Sequence, residues 1–446
     1  MNTQDPRDSL HSRPMSRYQI WIITLCTLIA ALDGFDVLVM AFTAPAIAED
    51  WSVSASSLGI LFSAGLLGMG LGAFLVAPLG DRYGRRPTAL LCVSLLMASM
   101  LCSALAQNVV QLFITRLFTG IGVGAVLATV NIVVTEYAND RRRSLCNAII
   151  SLGYPVGATL GGLASVELIE HFGWRAPFVF GGLAALLLLP LVWWGFPESL
   201  EFLIEKRPRN ALGRLNTILP RLRLPVLKQL PQQRLGGAER SGPKDLLAGE
   251  YRVPFLASCG LYFCVMMSFY FMISWTPKIL TDAGLSLGGG ISGAMLLNIG
   301  GAIGCLLYGL LATRLGARRL AVVIMLALFA TMVLFSNIPY EPLLLTLVAI
   351  TLGFFLFGAI AVLYVVVPTT FPAALRSTGT GLAMGMGRVG SVIGPALAGV
   401  LMDEGWQRPS YFLALAAPLL IAAVLVGLLA TNTRRQSCRQ PESSIQ

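Results

Sequence analysis

Histidine is almost missing from this chain: His11 and His171 are the only two. Neither stands beside a cysteine or a second histidine, which argues against a histidine-based enzyme site or metal centre. Charge is scarce too. Asp, Glu, Lys and Arg make up 12% of the residues, against roughly 25% in a soluble domain. The eight cysteines form no CxxC pair. Cys26, Cys92, Cys102, Cys146, Cys259, Cys264 and Cys305 fall in or beside apolar runs, and only Cys438 lies in a polar tail. That pattern offers neither a disulfide framework nor a metal site, and no cofactor is implied. A long soluble segment is lacking as well, which counts against a sensor with an output domain.

What fills the chain is apolar: 56% of its residues are hydrophobic. The apolar runs are near 20 residues long, the length of a bilayer-spanning helix, and do not alternate as barrel strands do. The expected fold is an all-α integral membrane protein with twelve transmembrane helices. The spans are placed at 18–45, 57–79, 88–107, 111–136, 145–168, 176–196, 252–276, 289–313, 319–337, 343–367, 376–402 and 409–431. A polar stretch divides them six and six. The organisation read from this is a tail over 1–17, a six-helix bundle over 18–196, a central loop over 197–250, a second bundle over 251–431 and a tail over 432–446. The first run is too long for a signal-peptide core and is read as a retained span.

The net charge of +10 invites a nucleic-acid reading, but the placement of the cations opposes it. All but five basic residues fall in the tails, the central loop and the even-to-odd connections. Arg175, Lys278 and Arg408 lie on the other side, and Arg116 and Arg388 lie inside spans. By the positive-inside rule both termini and the central loop are expected in the cytoplasm.

The first span holds Asp33-Gly34-Phe35-Asp36. A carboxylate in a spanning helix costs at least ~2.5–3.5 kcal/mol on insertion scales. Two acids three residues apart share one helix face, where they line a cavity rather than lipid and oppose each other's ionisation. The plainer alternative is an inter-helix hydrogen-bonding knot.

The two halves echo each other. Asp81-Arg82-Tyr83-Gly84-Arg85-Arg86 follows span 2, and Arg314-Leu315-Gly316-Ala317-Arg318-Arg319 follows span 8. Parallel six-span repeats are a feature of one class of secondary transporter. The first of these loops resembles the signature of the major facilitator superfamily, with Ala77 where the motif usually has its first glycine. Arg116 followed by Gly120, Gly122 and Gly124 resembles that superfamily's span-4 motif, and here both coupling and simple snorkelling are open. Span 5 has Ala158 where exporters of the superfamily often have a proline. Pro197-Glu198-Ser199 is similar to an importer motif. The stretch from Phe371 to Pro395 resembles the organic-anion and aromatic-acid branches, and it carries Arg388 near mid-span, either in a permanent ion pair or as an anion ligand.

With Asp33-Gly34-x-Asp36, the whole set resembles the aromatic acid:proton symporter family of the major facilitator superfamily, whose members include carriers of benzoate and 4-hydroxybenzoate. The resemblance implies a multi-pass protein of the bacterial inner membrane, not an enzyme. It implies inward symport of a small aromatic acid with protons by alternating access, and a monomer as the working unit. Asp33 and Asp36 would carry the proton and Arg388 would take the carboxylate. Phe35, Tyr154, Tyr270, Trp275 and Tyr364 would be available to stack on the ring. Asp81, Arg82, Gly84, Arg85, Arg86 and Arg116 would gate, with Asp81 facing the N-terminus of span 11. A proton-coupled exporter on the same fold is the alternative.

Overall fold

A computed structural model describes residues 5–233, 243–247, 249–337 and 341–437. The central-loop cations Arg234 and Arg240, and the tail residues Cys438 and Arg439, lie outside them. Among the described residues every regular element is helical. In chain order the α-helices are α1 (Pro6–Ser12), α2 (Arg17–Trp51), α3 (Ala55–Leu71), α4 (Leu79–Tyr83), α5 (Arg85–Ala104), α6 (Val109–Tyr137), α7 (Arg143–Phe172) and α8 (Ala176–Gly195). There follow α9 (Leu200–Glu205), α10 (Ala211–Ile218), α11 (Pro243–Leu246), α12 (Arg252–Asp282), α13 (Leu287–Leu315), α14 (Ala317–Asn337), α15 (Pro342–Val366), α16 (Ala373–Asp403) and α17 (Arg408–Ser437). Twelve segments among the described residues are long and apolar enough to cross a membrane; α3, a π-turn at Gly72–Val76 and α4 together make one of them.

The twelve expected spans are all present, and most helices overrun them at one or both ends. The first runs to Trp51 and the seventh to Asp282. The overrun has a physical cause: a helix keeps its hydrogen-bond ladder past the apolar core, where hydropathy stops marking it, and ends where a cap is available. At the start of α2 the Ser16 N–H donates to Gln19 Oε1 at 2.7 Å, and the Gln19 N–H donates back to Ser16 Oγ at 3.3 Å. That reciprocal capping box fixes the entry to the first span. Asn108 caps α6 by accepting from the Gln111 N–H, and Ser286 caps α13 by accepting from the Gly289 N–H.

The chain forms two compact units. One comprises Met1–Val39 with Ala64–Gly236, and the other Met40–Ser63 with Gly237–Gln446. In the first unit, a continuous apolar core joins Ile22, Cys26 and Ile29 of α2 to Val130 and Val134 of α6 and to Leu203 and Leu215 of the central segment. The segment expected as a loop is therefore folded in its first part. The leading residues contribute too: Arg7 on α1 pairs with Asp5 at 2.7 Å and with Glu205 on α9 at 2.6 Å.

In the second unit α12 packs on α16 and α17, and α13 on α15. Phe271 of α12 and Phe412 of α17 meet edge to face at 5.1 Å, within the range where aromatic pairs add ~0.5–1.5 kcal/mol beyond their buried area.

Candidate functional site

The first unit brings together the acids of α2 and the arginine of α6. Helix contact decides where they point. A Cβ on Gly34 would fall on the Tyr154 carbonyl of α7, and one on Gly157 would fall on Ala31. Only glycine lets the two backbones approach this closely. Small residues also bring α3 against α6: Gly68 abuts the Leu117 carbonyl, and Gly120 abuts Gly65.

Arg116, on α6, reaches Asp36 of α2. Arg116 Nη1 donates to Asp36 Oδ1 at 2.8 Å, and Nη2 donates to the Asp36 backbone carbonyl at 2.9 Å. Both residues are 2% exposed. The ring of Phe178 lies under the guanidinium, 5.8 Å from it. Of the two readings open for Arg116, snorkelling does not describe this position: its charge is held inside the protein by a carboxylate and a carbonyl. Asp33, one turn from Asp36, is 3% exposed.

Phe35 departs from its expected place. Its ring occupies a slot between Gly161 and Gly181, edge to face with Phe180 at 5.7 Å. It forms one wall of an apolar cavity of about 370 Å³ lined by α2, α7 and α8. The reason is the helical period: at 100° per residue, the side chain between two acids on one face points off that face. Tyr154 meets the acid-bearing helix through its backbone carbonyl at Gly34.

Within the second unit, Arg388 Nη1 lies 3.4 Å from the Tyr270 hydroxyl. Tyr364, 54% exposed, is near enough to both to interact electrostatically. Trp275 stands elsewhere. It is buried, its indole N–H donates to the Pro395 carbonyl at 3.0 Å, and its ring meets Phe62 at 5.1 Å.

The signature loop is organised by Glu198, to which the sequence motif attaches no role. Glu198 Oε1 accepts from the Arg85 N–H at 2.5 Å and the Arg86 N–H at 3.3 Å, at the N-terminus of α5. Its Oε2 accepts from Arg214 of α10 at 2.9 Å. Gly84, at φ +111°, makes room, because a Cβ there would strike this carboxylate. Asp81 pairs with Arg85 one turn on, Arg86 donates to the Trp193 carbonyl, and Arg82 lies 5.4 Å from the Tyr83 ring. The Pro-Glu-Ser tripeptide was the available signal for Glu198. Nothing local marks Arg214, sixteen residues on. Among the described residues no group of three or more His, Cys, Asp or Glu is gathered as a metal ion would require.

The sequence profile of the Major Facilitator Superfamily matches residues 25–388 and again 299–444. The chain belongs to the major facilitator superfamily. It is 33% identical over 428 residues to the gallate transporter of Pseudomonas putida, covering 95% of this chain and 94% of the relative. It is 32% identical to the 4-hydroxybenzoate transporter PcaK of Acinetobacter baylyi, covering 95% and 93%. Among solved structures, a bacterial homologue of the human lysosomal transporter Spinster aligns with a TM-score of 0.72 at 18% identity, covering 94% of this chain and 98% of that one. The xylose transporter XylE of E. coli aligns at 0.70 and 18%, covering 92% and 96%. At these identities the structural likeness speaks to the fold. The superfamily member described here is thus a multi-pass transport protein, and the family resemblance drawn from its motifs holds.

Proposed function

We propose that this transporter imports an aromatic carboxylate together with protons, by alternating access. The observation that carries the reading is the buried Asp36–Arg116 pair with Asp33 one turn away. An ionised carboxylate at membrane depth is costly unless compensated. Arg116 holds Asp36 in its ionised form, and two acids one turn apart oppose each other's ionisation, which favours a proton on the second. Asp33 is therefore assigned the proton, and Asp36 the task of holding Arg116.

Arg388 is assigned the substrate carboxylate, with Tyr270 and Tyr364 beside it to meet the ring and its substituents. Guanidinium matches carboxylate as a planar fork and stacks readily on aromatic faces. The relatives named for gallate and 4-hydroxybenzoate support an aromatic acid as cargo, as does a benzoate transport protein 27% identical to this chain. Asp81, Gly84, Arg85 and Arg86 are assigned to gating at the signature loop. The arginine distribution supports cytoplasmic termini in a bacterial inner membrane, and the monomer is taken as the working unit.

The test is uptake of labelled gallate, 4-hydroxybenzoate and benzoate into cells expressing the chain, with and without a protonophore. The expected result is accumulation of at least one acid that collapses with the proton gradient. Accumulation indifferent to the protonophore overturns the coupling, and no uptake of any of the three overturns the cargo.

A further inference from the structure

Residues 40–63, the far end of α2 and the first half of α3, group with the second compact unit. There α3 lies antiparallel along α16, and the seam has an unusual make-up. Ser63 Oγ donates to the Val392 carbonyl at 2.6 Å. One turn back, a Cβ on Gly59 would stand 2.6 Å from the Pro395 carbonyl. A further turn back, a Cβ on Gly399 would meet Ala55. At the end of the seam the Asp403 carboxylate accepts from two backbone N–H groups of α3, Ala55 to Oδ1 and Ser56 to Oδ2, each at 2.9 Å.

The first N–H groups of a helix have no partner within it, and the N-terminus attracts negative charge. Asp403 meets both demands from another helix, through two charge-assisted bonds. It is an exposed residue, so water can replace either partner when they part. The direct contacts of α3 on α16 are otherwise backbone against glycine and one hydroxyl. Beside them Phe62 of α3 packs edge to face on Trp275 of α12, so the two Asp403 bonds are the part of the seam that water can replace. Ser54 keeps α3 capped on its own, its hydroxyl accepting from the Ser57 N–H at 3.3 Å, so α3 does not depend on Asp403 for its fold.

We propose that Asp403 is a releasable latch that holds the α2–α3 hairpin seated on α16 and so biases the carrier towards the state closed at this end. The proposal rests on the alternating-access reading but not on the cargo. A carrier of this kind must open the hairpin end, and the contacts that seal it set how often it does.

The test uses the full chain in cells with Ser63→Cys as a reporter and the chain without that substitution as a blank. Labelling is by a membrane-impermeant maleimide added outside. The introduced thiol is covered while the seam is closed. Asp403→Asn places an amide donor against backbone donors and is expected to raise the labelling rate about tenfold, equivalent to about 1.4 kcal/mol. Ala55→Pro removes one of the two N–H groups at a helix position that tolerates proline, leaves the carboxylate intact, and is expected to raise labelling in the same direction. The double variant is expected to label no faster than the faster single one. Unchanged labelling in both single variants at normal membrane levels overturns the latch, and so does full additivity in the double variant. The assay needs no substrate, so its outcome is independent of the uptake experiment.

Discussion

Arg116 binds Asp36 twice, once at the carboxylate at 2.8 Å and once at the backbone carbonyl of the same residue at 2.9 Å. The double attachment locks the guanidinium to one turn of α2 and explains why a charge can sit at 2% exposure. Removing one partner of a buried pair leaves the other uncompensated, at a cost of about 3–5 kcal/mol. Arg116→Ala is expected to lower the thermal midpoint of the purified protein in detergent and to abolish uptake. Arg116→Lys, which keeps the charge but reaches one acceptor at a time, should fall between. A midpoint equal to wild type for Arg116→Ala would show that the pair is not structural.

Asp33 and Asp36 should separate in transport assays. Asp33→Asn mimics the protonated state permanently. It is expected to lose protonophore-sensitive accumulation while keeping exchange of labelled for unlabelled substrate across the membrane. Asp36→Asn strands Arg116 and should lose both. Counterflow measured beside accumulation distinguishes the two, and identical behaviour of the variants would remove the division of roles.

At Arg388 the expectation is an effect on substrate affinity. Arg388→Lys should raise the apparent KM for uptake at least tenfold through loss of the planar fork, an equivalent of about 1.4 kcal/mol, with protein level unchanged. Tyr270→Phe removes only a long 3.4 Å contact, and should shift KM by no more than about threefold, within the range of an ordinary hydrogen bond of ~0.5–1.5 kcal/mol. A larger effect of Tyr270→Phe than of Arg388→Lys would reverse the assignment of the carboxylate ligand.

Glu198 caps α5 and holds Arg214 at once. Glu198→Gln keeps the volume but loses the charge, and Glu198→Ala also leaves backbone N–H groups unmet. Loss of a helix cap costs about 0.5–2 kcal/mol. Both variants should lower the thermal midpoint, alanine more than glutamine. Proteolysis should then cut the segment around α9 and α10 sooner than in wild type. Equal resistance to protease would mean the carboxylate does not organise that segment.

Gly34 offers the most direct check of helix packing. A Cβ at this position would fall on the Tyr154 carbonyl, which is backbone and has nowhere to rotate. Gly34→Ala is expected to reduce folded protein in the membrane, scored by monodisperse yield after extraction, whereas Gly381→Ala, with open space around it, should yield as wild type.

The one-dimensional pattern was enough for whatever depends on the solvent and on local spacing. The bilayer demands long apolar helices, so twelve runs stood out, and Asp33 and Asp36 were conspicuous because a carboxylate in such a run is expensive. Motif spacing carried the family, since the signature loop and the Asp-Gly-x-Asp element are contiguous. What the chain could not declare along its length was pairing between distant segments. Arg116 is eighty residues from Asp36 and read equally well as a snorkelling cation. The packing of the folded bundle is what brings α6 to α2 at this depth. Phe35 looked like a ring ligand because it lies between two acids, yet the helix turns it into a slot made by Gly161 and Gly181. Trp275 looked available until its indole N–H proved committed to Pro395. Asp403 is a single acid just past the end of an apolar run, indistinguishable in sequence from a solvated one, and Glu198 is marked only by its Pro-Glu-Ser motif, which does not name its partners. Each gains its role from backbone N–H groups at the start of a helix far away in the chain, and it is tertiary packing that sets those groups within reach.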